Sequence, residues 1–286
     1  MRYISLFSGI GALDLAVRSV LGAETEAYVE IDGFCQKVLR ARMKDGYLEK
    51  AEIFGDVRKF KWEKTDMVVG GFPCQPFSLA GERKGESDDR NMWPDTLRVI
   101  RMARPEYVFL ENVPGLLSGD GEGRQPYVYT ILANLAEEGF DAEWEIIGAD
   151  DAGAPHRRKR WFCFAYRKLA DSNSSGYIHR ESEIDSDKRR IDALSDTSHS
   201  CDEISERRFN YPPGPSESSG WEYLLSIMPE VEPAFCRISD DGEKLHRMDR
   251  LKALGNAVAW QAGAIALRLC IERSGVLNGS AAAQSK

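Results

Sequence analysis

The feature that most constrains this chain is an alternation of short apolar runs with helical patterns, sustained over residues 1–166. Strand-like runs stand at Tyr3–Phe7, Glu26–Glu30, Met67–Gly70, Tyr107–Leu110, Glu143–Ile147 and Trp161–Tyr166. Helical spacing covers Ala12–Leu21, Gly33–Arg42, Pro94–Met102 and Tyr127–Glu138. Strands that alternate with helices bury both faces of a sheet and join through crossovers, which predicts an α/β fold with a mainly parallel sheet. The pattern lapses after Tyr166. Residues 167–210 are rich in Ser, Asp and Arg without a steady period, a proline-rich turn follows at Tyr211–Pro215, and WEYLLSIMP offers one short helix. Apolar periodicity returns at Leu251, and Ala257–Ile271 reads as a long, mostly buried helix before a polar tail.

Composition narrows the class of protein. Hydrophobic residues at 42% and charged residues at 29% suit a soluble globular enzyme with a sizeable core. No apolar stretch approaches the roughly 18 residues that cross a bilayer, and MRYISLFSGIG lacks the apolar core of a signal peptide. Six cysteines without a CxxC pair argue against a disulfide framework or a zinc cluster, so no metal site and a reduced, cytoplasmic setting are expected. The net charge of -8 disfavours a non-specific nucleic-acid coat, yet it leaves room for a confined basic cleft.

The segment YISLFSGIGALDLAV is a strand, a tight turn carrying Gly9 and Gly11, and a helix. Such a turn lets the backbone approach a ligand at the carboxyl edge of the sheet. A dinucleotide site would place a third glycine where Asp14 stands, and a carboxylate aimed at a pyrophosphate would repel it. Glu30 ends the second strand, where an acid commonly takes ribose hydroxyls, and Asp56, after Gly55 at the end of a third strand, can take an exocyclic amine. These residues suit an adenosyl ligand without phosphates. A glycine turn flanked by two solvated acids accounts for them equally well.

DMVVGGFPCQPFSLAG is more specific. A buried strand opens into a loop in which Pro73 and Pro76 bracket Cys74. Prolines fix φ near the thiol and lower the entropy of presenting it, which makes Cys74 a candidate nucleophile rather than a buried structural cysteine.

With these residues in view, the chain resembles the DNA (cytosine-5)-methyltransferase family, of bacterial or phage type. The matching motifs run in the family's order: FSGIG at Phe7–Gly11, GGFPCQPFS at Gly70–Ser78, ENV at Glu111–Val113, RRKR at Arg157–Arg160 and GNAV at Gly255–Val258. The resemblance covers residues 1–166 and 250–272 and implies a Rossmann-like methyltransferase domain using S-adenosyl-L-methionine. It implies that Cys74 adds to C6 of cytosine, that Glu111 serves N3 and the exocyclic amine, and that Arg158 and Arg160 support both and bind the carbonyl oxygen. Phe7, Gly9, Gly11, Glu30, Asp56, Pro73, Asn256 and Val258 would hold the cofactor. His156 departs from the family's usual glutamine.

The same resemblance divides the chain into a catalytic domain, residues 1–166 and 250–286, and a small irregular target-recognition region, residues 167–249. Residues 167–210 carry eight basic against ten acidic side chains, so backbone contacts there would fall to local pairs such as Arg189–Arg190 and Arg207–Arg208. The polar stretch Ser78–Asn91, with Gly81 and Gly85, is expected to be a closing lid. The expected enzyme is a monomer acting on double-stranded DNA, without a membrane, and compatible with a companion restriction endonuclease. Two rivals stand beside it: a tRNA cytosine-5 methyltransferase, and a non-catalytic DNA-binding homologue.

Overall fold

The computed structural model describes residues 1–73, 91–118, 125–154, 157–167, 253 and 257–277. Seven strands form one sheet: β1 (Arg2–Leu6), β2 (Glu24–Val29), β3 (Glu52–Phe54), β4 (Met67–Gly70), β5 (Tyr107–Asn112), β6 (Phe140–Ile147) and β7 (Arg160–Arg167). Their spatial order is β3-β2-β1-β4-β5-β7-β6. The first five are parallel neighbours, whereas β7 runs antiparallel between β5 and β6. The helices are α1 (Ala12–Leu21), α2 (Gly33–Lys44), α3 (Trp93–Ala103), α4 (Tyr127–Glu137) and α5 (Trp260–Ser274). The expected α/β fold with a mainly parallel sheet is therefore present.

Period-two alternation sends successive side chains of each central strand to opposite faces, and both faces are apolar. Ile4, Leu6, Val68, Val108 and Leu110 join α3 and α4 residues such as Val99, Ile100, Ile131 and Leu135 on one side. Tyr3, Met67, Val69, Phe109, Phe162 and Phe164 join Val17, Ile265, Leu267 and Ile271 of α1 and α5 on the other. Gly263 lets α5 approach closely there: a Cβ on it would stand 3.2 Å from that of Ala16. Aromatic pairs stitch β5 to β7, with Tyr107–Phe164 and Phe109–Phe162 centroids 5.7 and 6.0 Å apart.

Several limits shift in a way that matters for the site. β1 stops at Leu6, and Phe7 takes a positive φ of 52°, so the ligand-facing turn starts one residue early. β5 runs on through Asn112 and β7 starts at Arg160, because the two pair antiparallel, Glu111 opposite Phe162 and Asn112 opposite Trp161. Glu111 and Arg160 thus sit within the sheet rather than just outside it. Helix α5 begins at Trp260, later than the periodicity indicates. The short helix at WEYLLSIMP, the Ser78–Arg90 part of the lid and the target-recognition region beyond Arg167 lie outside the described residues.

Candidate active site

The carboxyl ends of β1, β2, β4 and β5 converge on one edge of the sheet, and two groups of polar side chains gather there. The first is organised by the glycine turn. Gly9 and Gly11 have φ of 55° and 82°, the left-handed region that favours glycine. Gly11 is also sterically required, since a Cβ there would meet Leu48 Cδ1 at 2.5 Å. Glu30, buried just past β2, accepts from the Gly9 N–H and the Asp32 N–H, both at 2.7 Å. Burial raises the Glu30 carboxyl above its ordinary value, and those two backbone donors counter it. Asp32 in turn caps α2 by accepting from Phe34 and Cys35 N–H.

Beside this turn lies a cavity of about 290 Å³ lined by Phe7, Val29, Glu30, Ile31, Gly55, Asp56, Val57, Arg58, Pro73 and Met92. Its walls are mainly apolar, with a carboxylate on each side, which suits a flat heterocycle carrying a hydroxylated sugar. Asp56 accepts from Arg58 through Nε at 2.9 Å and Nη2 at 2.8 Å, as well as from the Arg58 N–H. The Arg58 guanidinium holds this carboxyl below its usual range. A larger hollow of about 620 Å³, between Lys61, Trp62, Glu63, Met102 and Arg104, lies near the amino ends of β4 and β5. Ligands of open α/β sheets bind at the carboxyl ends, which favours the smaller cavity.

The second group is built on β5 and β7. Glu111 Oε1 pairs with Arg160 Nε at 2.8 Å, their side chains only 12% and 15% exposed. Burial pushes the Glu111 carboxyl from 4.5 up to about 7, against the opposing charges of Arg160 and Arg158. Arg158 has φ of 23°, and its own burial lowers its guanidinium. Gly71 makes room for the acid, because a Cβ on it would lie 2.8 Å from Glu111 Oε2. Asn112 fixes the same loop, donating from Nδ2 to the Phe72 carbonyl at 2.8 Å, while Phe72 packs on Trp93. A buried acid half-protonated near neutrality, beside two cations, can give a proton to an acceptor and then be stabilised as an anion.

Of the residues singled out from sequence, Phe7, Glu30, Asp56 and Pro73 line one cavity, and Gly9 joins it through Glu30. Glu111, Arg158 and Arg160 form the second group. Gly11 shapes the turn without lining the cavity, and Val258 packs against the α1–α5 face. Cys74 and Asn256 lie outside the described residues, as does His156. Asp14 does not line the cavity. It is fully buried on the inner side of α1, near Tyr3 and Ser5, because the helix turns that position toward β1. Ile31, Val57, Arg58 and Met92 were not legible as lining residues. Ile31 alone carried a signal, an apolar residue between two acids, and it is 68% exposed.

The family described as C-5 cytosine-specific DNA methylase matches residues 1–220, which includes part of the insert. Type II methyltransferase M.CviJI of Paramecium bursaria Chlorella virus IL3A is 34% identical over 172 residues, 58% of this chain and 43% of that protein. Type II methyltransferase M.HpaII of Haemophilus parainfluenzae is 36% identical over 179 residues, 61% of this chain and 48% of that one. Type II methyltransferase M.HhaI of Haemophilus parahaemolyticus is 35% identical over 172 residues, 58% and 49% of the two chains. The chain spans about half the length of the curated relatives it matches. With its ordered motifs, its sheet and its buried acid–arginine group, this chain belongs to the C-5 cytosine-specific DNA methylase family.

Proposed function

We propose that the protein transfers a methyl group from S-adenosyl-L-methionine to C5 of cytosine in duplex DNA, through a transient bond between Cys74 and C6. The observation that carries this reading is the Glu111–Arg160–Arg158 group beside Gly71, with Pro73 the last described residue before Cys74. The bound cofactor supplies an electrophilic methyl group. Phe7, Ile31 and Val57 offer apolar walls for its base, with Glu30 and Asp56 as acceptors for hydroxyl and amine donors.

C5 of cytosine is a poor nucleophile until a thiolate adds to C6 and pushes electrons toward N3. Glu111, protonated about half the time near pH 7, donates the proton that N3 then needs. Arg160 receives the resulting carboxylate at the 2.8 Å contact already formed. C5 would take the methyl group from the sulfonium, which would leave as a neutral thioether; a base removes the C5 proton, and as the S–C6 bond breaks N3 returns its proton to Glu111, which restores the ring and frees Cys74. The target carbon is inaccessible within stacked duplex, so the base rotates out before reaction. Residues 167–249 are the proposed reader of the flanking sequence.

Duplex DNA carrying 5-fluorocytosine at the target tests this directly. Fluorine replaces the proton that must leave, so a cofactor-dependent covalent adduct should survive denaturing electrophoresis and vanish in Cys74→Ala. An adduct with fluorinated tRNA alone would transfer the activity to RNA. Methylation of the site without any trap would remove the covalent step.

A further inference from the structure

The walls of the cofactor cavity come from separate elements, and one partly buried cation joins two of them. The short helical turn Val57–Lys59, capped by Asp56, supplies Asp56, Val57 and Arg58. Helix α3 opens after Met92, which also lines the cavity. From the middle of α3, Arg98 donates through Nη2 to the Val57 carbonyl at 2.6 Å and through Nη1 to the Phe60 carbonyl at 3.0 Å. One guanidinium thus spans the turn from its first residue to the residue that ends it. Its Nε faces Asp95 Oδ1 at 3.6 Å, one helical turn back. Asp56 above all, and Asp95 with it, favour the charged form of Arg58. The turn has only three residues and follows the three-residue strand β3, so little regular backbone bonding fixes its pose. Val57 and Phe60 sink into the cluster that holds Leu97 and Ile100 of α3. Apolar burial is non-directional and sets the depth of the turn, whereas a planar fork on two carbonyls sets its rotation.

We infer that Arg98 is a positioning residue for the cofactor: its fork fixes the turn that presents Asp56, and so sets the site's preference for a ligand with an exocyclic amine over one with a carbonyl in that place. This rests on the cavity being the adenosylmethionine site. Arg98 does not line the cavity and acts through the Val57 and Phe60 carbonyls. A carboxylate rewards an N–H donor and repels a carbonyl oxygen, so the preference between the two reads the aim of Asp56. That aim is narrow. The Arg58 N–H, Nε and Nη2 occupy most of the roughly four lone-pair sites of the Asp56 carboxylate. A small rotation of the turn is enough to point the remaining site away from the ligand.

Calorimetry on the full chain with S-adenosylhomocysteine and with S-inosylhomocysteine reads the effect, since the second carries a carbonyl in place of the exocyclic amine. The wild-type protein should prefer the adenosyl compound. Arg98→Lys keeps the charge and the stem but replaces the fork with a single ammonium. In it that preference should fall about three- to tenfold, the range of one hydrogen bond, with inosyl affinity unchanged. Arg98→Met, which has no donor, should lose at least as much, and if it does not fold the lysine variant decides alone. Equal weakening of both compounds in Arg98→Lys, or an unchanged preference, would overturn the inference. A wild-type chain that binds neither compound, or does not distinguish them, would instead overturn the reading of the cavity, and the inference with it.

Discussion

The two halves of the site hold a buried glutamate in different ways. Glu30 is fastened by backbone: its oxygens take the N–H groups of Gly9 and Asp32, one on each side of the strand that carries it. Glu111 is fastened by side chains, between Arg160 and the charge of Arg158, with Gly71 vacating the space it occupies. Backbone donors cannot leave or change charge, so Glu30 serves as a fixed acceptor. Arginines balance a charge that comes and goes, so Glu111 can cycle its proton. Under the proposed function, one half binds and the other reacts.

The largest test of that contrast is Glu111→Gln. The amide keeps the shape but cannot deliver a proton, and methylation should fall about 10²–10⁴-fold with cofactor affinity retained. The wild-type trapping rate should decline as pH rises through about 7, and the variant should show no such limb. Stability carries the same signature. The folded value of about 7 exceeds the usual 4.5, so this group's contribution is whole below pH 4.5 and lost as pH rises through about 7. That swing is about 3 kcal/mol. Denaturant unfolding across that range should show it in the wild type and not in the variant. A pH-independent difference between them would detach Glu111 from the titration.

Glu30→Ala should act on binding and fold together. It strands two backbone donors that met a charged acceptor, a loss of about 1.5–3 kcal/mol in stability, with cofactor affinity down at least about tenfold. Calorimetry showing unchanged affinity would displace the cofactor from this cavity. The smallest effect belongs to Ile31→Ser. Since Ile31 is 68% exposed, folding should change by under about 0.5 kcal/mol. Cofactor affinity should drop roughly fivefold through about 1 kcal/mol of lost apolar cover. A fall in melting temperature without a fall in affinity would reverse its assignment.

Legibility followed how local each feature is. The strand–turn–helix of Phe7–Gly11 and the approach to Cys74 are written in consecutive residues, and the structure places Phe7, Glu30, Asp56 and Pro73 around one cavity. The Glu111–Arg160 association is implied by the resemblance alone; the contact depends on β7 lying antiparallel against β5, a pairing no local pattern carries. The inward turn of Asp14 depends on helix phase at a glycine cap, where the apolar period has barely begun. Arg58 closes on Asp56 through turn geometry two residues away, and a charged residue beside an acid gives no hint of that in sequence. The short edge strand β3 has three residues, too few to show a period.

Helix α5 has a consequence for how this molecule comes into being. It packs on α1, β6 and β7, and one hydrophobic cluster runs from Tyr3 to Ile271. Until residues 260–274 are available, the cluster that holds Tyr3, Val17, Val69 and Phe162 lacks Ile265, Leu267 and Ile271. Contacts of such sequence separation are slow to form. At synthesis rates of about 5–20 residues per second, the sheet that ends at Arg167 waits roughly 5–20 seconds for the helix that ends at Ser274. The residues at the start of that cluster emerge first, yet the cluster closes last.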